Sequence, residues 1–195
     1  MNRQDIELLL EQAKAATRHS HYVIIGSLSI LGAIDSPPPS MTMSVDVDLY
    51  PRDDPGRAGD IARQLGLGSD FEQLHGFYAD AVSPRLPALP TGWQNRMVPV
   101  EFKSGVTAWF LDPNDAAVSK YARSDPRDRE WIRAGLEAGI LSMPTIAYRL
   151  PSAVMDDDEV RIATQAILED KAWMKSIQRP PKRFRRTDRD PGVER

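Results

Sequence analysis

The chain has 195 residues, a formal net charge of −3 and no cysteine. Disulfides, thiolate metal sites and a cysteine nucleophile are thereby excluded, and the composition suits a reducing cytosol. A 41% hydrophobic share can build a core, the charge carries no global nucleic-acid signature, and no apolar run nears the ~20 residues that cross a bilayer.

Residues 4–18 place Ile6, Leu9, Leu10, Ala13 and Ala16 at helical spacing, which predicts a helix packed on a sheet. The first residues lead into that helix and not into the apolar core of a signal peptide, so a cytoplasmic setting is expected. A buried strand at 23–25, a short helix at 27–34, a stiff proline loop at 36–40 and a strand at 45–49 follow. Residues 55–65 read as a helix ended by Gly66 and Gly68. Residues 71–82 read as hairpin-like around Gly76, and 84–95 as a loop. Two strands, 96–102 and 106–111, are joined at Lys103-Ser104-Gly105.

Beyond residue 112 the pattern becomes helical. Asp112-Pro-Asn-Asp115 and Asp125-Pro-Arg-Asp128 repeat one helix-start signal: an Asp cap, Pro at the first position and a carboxylate in the first turn. They open helices over 113–122 and 126–138, the second closed by Gly139. A short helix over 143–150 and a longer one over 156–177 follow. From Arg179 the tail is basic and proline-rich, and disorder is expected there. The predicted class is α+β. Residues 1–112 form a small mixed sheet with flanking helices, 113–178 a helical part packed on it, and 179–195 the tail.

Two segments carry the chemistry. In Val45-Asp46-Val47-Asp48-Leu49, alternation puts Asp46 and Asp48 on one face while Val45, Val47 and Leu49 turn to the core. Two carboxylates that close repel unless a cation lies between them, and two hard oxygen ligands suit Mg²⁺. The other segment is the apolar run that ends in Gly26-Ser27 and opens a helix-like stretch. Gly26 permits close backbone approach, and Ser27 with the neighbouring N–H groups can hold a phosphate. A phosphate cradle beside a metal-binding Asp pair is the apparatus of nucleotidyl transfer.

This pattern resembles the nucleotidyltransferase superfamily, whose signature is an apolar residue, Gly, Gly or Ser, and, after a gap, Asp-x-Asp/Glu flanked by apolar residues. An ordered set of further segments narrows the resemblance: Ser44-Val-Asp-Val-Asp-Leu-Tyr-Pro51, His75-Gly-Phe-Tyr-Ala79, Val82-Ser-Pro84, Leu89-Pro90-x-Gly92-Trp93, Leu111-Asp-Pro113 and Ala117-Val-Ser-Lys120 followed by Arg127-Asp128. Over roughly residues 15 to 145 the chain looks like a compact bacterial branch. That branch is related to the toxins of abortive-infection, type IV-like toxin–antitoxin systems. The resemblance implies a minimal nucleotidyltransferase fold, a phosphate-touching Lys120 on the helix after the sheet, and an acidic site residue at Asp128. It also implies a third carboxylate on a later strand, for which Glu101 is the candidate.

The reading that results is a Mg²⁺-dependent enzyme that moves NMP from an NTP to an acceptor hydroxyl and releases pyrophosphate. By the resemblance, the acceptor is the 3′ end of tRNA and a separate antitoxin restrains the enzyme. The alternatives are an aminoglycoside-type small-molecule nucleotidyltransferase, with an acidic acceptor pocket, and a non-catalytic nucleotide- or partner-binding relative. Arg52, Arg57, Arg63, Arg123, Arg127 and Arg129 are candidates for a basic RNA track beside the Asp pair. His75 and Tyr78 could line the pocket.

Overall fold

The structure, a computed structural model, describes residues 1–85 and 87–177. Five strands, β1 (His21–Ile24), β2 (Asp46–Pro51), β3 (Tyr78–Ala81), β4 (Val98–Glu101) and β5 (Thr107–Phe110), form one mixed sheet in the order β3-β2-β1-β5-β4. β1 runs antiparallel to β2 and parallel to β5, and β4 is antiparallel to β5, which it joins through the expected turn at Gly105.

The segment expected to be hairpin-like is built differently. β3 is parallel to β2, and parallel neighbours need a crossover. Helices α3 (Ala58–Leu65) and α4 (Asp70–His75) supply it. The Ser69 side chain caps α4, and Gly76, at φ 75°, ends it in the left-handed conformation that glycine adopts without penalty. Phe71 on α4 meets Phe77 edge-on with ring centroids 5.3 Å apart, which fixes the helix against the strand that follows.

One face of the sheet is apolar throughout. Ile24, Leu49 and Phe110 are fully buried there. They lie beneath helix α1 (Arg3–Thr17), which buries Ile6, Leu9, Leu10 and Ala13, and beneath α2 (Ile30–Ala33). α2 sits so close that a Cβ on Gly32 would fall 2.2 Å from that of Phe110. The registers Val23↔Tyr50 and Val23↔Trp109 place Asp46, Asp48 and Tyr50 on the opposite face, together with Val23 and Trp109. Val45, expected to face the core, instead precedes the strand and is 52% exposed.

Four further helices follow β5: α5 (Pro113–Arg123), α6 (Pro126–Glu137), α7 (Met143–Arg149) and α8 (Asp157–Ile177). Both Asp-Pro signals act as expected. The Asp112 carboxylate accepts the N–H groups of Asn114 and Asp115, and Asp125 accepts that of Arg127. α5 packs against α6, α7 and α8. No helix among the described residues is long and apolar enough to cross a membrane. The expected tail, 179–195, lies outside the described residues.

Candidate active site

Asp46 and Asp48 project together from β2 as the alternation requires, with Val47 and Leu49 buried on the other side. β3 adds a carboxylate that the sequence reading missed. Asp80 stands directly opposite Asp48 in the parallel register, and one oxygen from each of Asp46, Asp48 and Asp80 lies within 4.8 Å of the others. Burial pushes the Asp48 carboxyl up to about 7, helped by the charges of Asp46 and Asp80 and opposed by Arg123 and Lys120. Three converging oxygen donors on a half-buried surface fit a hard divalent cation such as Mg²⁺. The Ser44 hydroxyl donates to Asp46 and helps fix its rotamer.

Glu101 is not part of this cluster. It is exposed on β4, the far edge strand, with β5 and β1 between it and β2. The third carboxylate comes instead from the edge strand on the other side. A signal for it existed: an Asp inside Phe77-Tyr-Ala-Asp-Ala-Val82, a strand-like run of the kind from which Asp is depleted.

β1 ends beside Asp48, since the Ile25 N–H donates to the Asp48 carbonyl at 3.0 Å. Gly26 then takes φ 68°, and a Cβ there would fall 1.8 Å from Asp48 Oδ2, so only glycine fits. The expected 27–34 helix is a 3₁₀ turn, Ser27–Ser29, followed by the four residues of α2. So short a helix provides little dipole, and Ser27 instead has a defined side-chain partner.

That partner is Lys120. Its place in an apolar helical pattern would normally let it reach solvent, yet it is 5% exposed. Its Nζ donates to Ser27 Oγ at 2.9 Å and to Asp128 Oδ1 at 2.6 Å, and lies 5.0 Å from the centre of the Trp131 ring. The Trp131 indole N–H donates to the Ser27 and Met41 carbonyls, tying α6 to the same turn. Asp128, also buried, accepts Arg123 Nε at 2.7 Å and Nη2 at 2.8 Å. Burial draws Lys120 down, and Asp128 only partly reverses this. Burial likewise pushes Asp128 up, but Arg123 and Lys120 outweigh it and hold the carboxyl below its ordinary value. With both oxygens engaged by cations, Asp128 is built to hold Lys120 and Arg123 in place.

A cavity of about 310 Å³ lies between the two groups, lined by Gly26, Asp48, Ser119, Lys120, Arg123 and Glu159. Of the three clustered carboxylates Asp48 lines it, together with the two cations Lys120 and Arg123 and the carboxylate of Glu159. The arginines expected along the Asp pair are not gathered in this cavity. Arg57 and Arg63 pair with Asp60, Arg129 pairs with Glu169 and Asp170, and Arg52 stacks on Trp109. Arg123 alone of those expected lines this cavity. His75 is exposed and packs on Phe71 at 4.6 Å, while Tyr78 stands opposite Asp46 on β3.

One family model, described as "Nucleotidyltransferase of unknown function (DUF6036)", matches residues 3–179. No curated protein and no solved structure matches the chain.

Proposed function

The chain belongs to these DUF6036 nucleotidyltransferases, and on that premise we propose that it transfers NMP from an NTP to an acceptor hydroxyl, with Mg²⁺ held by Asp46, Asp48 and Asp80. The observation that carries this reading is the convergence of three carboxylate oxygens within 4.8 Å, one of them, from Asp48, bordering the cavity that Lys120 and Arg123 also line. When bound, Mg²⁺ would neutralise charge on the α-phosphate and its leaving oxygen.

The chain's own groups then divide the work. Gly26, without a side chain, lets the backbone come up to Asp48 and keeps the cavity open. Lys120 Nζ and the Arg123 guanidinium, both fixed by Asp128, are placed to receive the β- and γ-phosphate oxygens. Ser27 Oγ holds Lys120 from the other side. Asp80, more exposed than Asp46 and Asp48, is placed to take the proton of the incoming hydroxyl on a carboxylate oxygen. The hydroxyl oxygen bonds to the α-phosphorus, the bond to pyrophosphate breaks, and the pyrophosphate leaves on the Lys120–Arg123 side.

For the acceptor, the likeness of the motifs to the toxin branch supports the 3′ end of tRNA, with a separate antitoxin protein as restraint. The test incubates the protein with each common NTP, radiolabelled at the α-phosphate, with Mg²⁺ and total bacterial tRNA, beside an Asp46→Ala/Asp48→Ala control. Label on tRNA with the wild type alone is the expected result. NTP binding without transfer would remove tRNA as acceptor, and no NTP binding would remove the nucleotidyl-transfer reading.

A further inference from the structure

The face of the sheet that carries the Asp pair holds a second pocket, of about 440 Å³. We propose that it binds the acceptor as a single-stranded nucleic-acid end, an inference that rests on the nucleotidyl-transfer reading above. The first pocket has Ile25 and Asp48 in its floor, and the second has Val23 and Tyr50. Val23 pairs with Tyr50, and Ile25 bonds to Asp48 across the same two strands. The floors are therefore two residues apart along β1 and β2, about 7 Å. The two pockets are also neighbours in the following loop: Pro84 and Arg85 border the second, Pro87 and Ala88 the first. An extended strand lying in the second pocket has its terminal hydroxyl delivered toward Asp48.

The lining selects the chemistry. Among the described residues the charged groups of the second pocket are Arg52 and Arg85, with no carboxylate. The Arg52 guanidinium lies 3.6 Å from the centre of the Trp109 ring, which holds its plane and leaves its N–H edge for an anion. The neighbouring Asp53 and Asp54 turn instead toward His21 and His19. Trp93, partly buried after the left-handed Gly92, adds a flat indole. Two guanidinium groups beside an aromatic surface suit a phosphate and a base, the elements of single-strand recognition. A polycationic aminoglycoside would meet like charge there.

The test measures binding of a short fluorescein-labelled single-stranded oligoribonucleotide without NTP, for wild type, Arg52→Gln and Trp93→Ala. Mg²⁺-dependent NTP binding is measured in parallel. Trp93→Ala should weaken oligonucleotide binding about 10-fold, the worth of a lost stacking platform. Arg52→Gln should weaken it and reduce the log–log salt slope by about 0.7, one phosphate contact to a single strand. NTP binding retained in both variants shows that they are folded and that the effect belongs to the second pocket. Oligonucleotide binding that is absent in the wild type, or equal in all three proteins, overturns the proposal and leaves nucleotidyl transfer standing. Wild type that binds the oligonucleotide but no NTP overturns the transfer reading, and with it the acceptor role of the pocket.

Discussion

At the start of α5, Asp112 caps the helix, and Asp115, fully buried, accepts Arg96 at 2.8 Å and Arg149 at 2.9 Å. Just past its end, Asp125 caps α6, and Asp128, equally buried, accepts Lys120 and Arg123. The same Asp-Pro-x-Asp signal thus twice yields a buried carboxylate between two cations. The cations differ in where their remaining donors go. Arg96 gives its others to the carbonyls of Pro90 and Thr91, and Arg149 reaches back to Asp112; both border a separate cavity that none of the three clustered carboxylates lines. Lys120 reaches Ser27 and lines the cavity beside Asp48, and Arg123 borders the same cavity. The local motif sets burial and pairing, and the outward contact of the paired cation decides whether the network serves the fold or the site.

The comparison breaks most visibly at Asp115. Asp115→Ala leaves two arginines without their shared anion, and a urea titration should show a loss of about 3–5 kcal/mol. NTP affinity of the protein that remains folded should be retained. A loss below about 1 kcal/mol would mean that the N-terminal network is not a clamp. Asp128→Asn preserves shape but frees Lys120 and Arg123, and kcat/KM for transfer should fall about 100-fold, or about 2.7 kcal/mol. Adding Lys120→Met to that variant should cost little more, because the two side chains act as one unit. If Asp128→Asn lost only stability and kept its kcat/KM, the two ends of α5 would be equivalent.

The sequence reveals the first of these levels and hides the second. Helix starts and the Asp46–Asp48 face follow from spacing, which is local, whereas the apposition of Gly26 to Asp48 is made by the antiparallel pairing of β1 with β2. Asp80 stayed hidden because its partner is set by a parallel pairing through a crossover, and 71–82 reads as a hairpin when only Gly76 and the flanking aromatics are weighed. Glu101 appealed as an apolar-flanked carboxylate on a later strand, but strand order, which no local pattern encodes, put it at the far edge. Lys120 sits in a pattern that usually brings lysine to solvent, and its burial depends on tertiary packing around it, including α6 and the Ser27 turn tied to it by Trp131.

A third, smaller difference between the two networks is their relation to pH. Beside the C-terminal network, Asp48 is raised from its ordinary value of 3.8 to about 7, chiefly by burial. A folded pKa above the unfolded one means that the folded state binds more protons between about pH 4 and 7, so stability falls as pH rises through that window. Solvent screening at this half-buried group reduces the effect to about 2 kcal/mol. Asp128 has the opposite sign: its stabilisation is complete above the ordinary carboxylate range and is lost as pH falls through its lowered pKa. The metal-free protein should therefore melt higher near about pH 5.5 than near about pH 8. Mg²⁺ should recover the difference at the higher pH, and Asp48→Asn should abolish it. A flat wild-type profile would show that the three carboxylates coexist without a cation.

The smallest expected effect separates the networks most cleanly. Arg123 is 68% exposed along its side chain, and its removal leaves Asp128 still paired with buried Lys120. Arg123→Ala should therefore change stability by less than about 1 kcal/mol. The cavity loses a guanidinium, however, and KM for NTP should rise about 10-fold, the worth of one charge-assisted phosphate contact. Arg149→Ala makes the same chemical deletion at the other end of α5. There the side chain is 19% exposed and bridges Asp112 to Asp115, so stability should fall while KM stays in place. Initial-rate kinetics and urea titrations on the two variants give a crossed pattern if the outward contacts assign the roles. If both arginines moved the same quantity, the pairing of each carboxylate alone would have set its role.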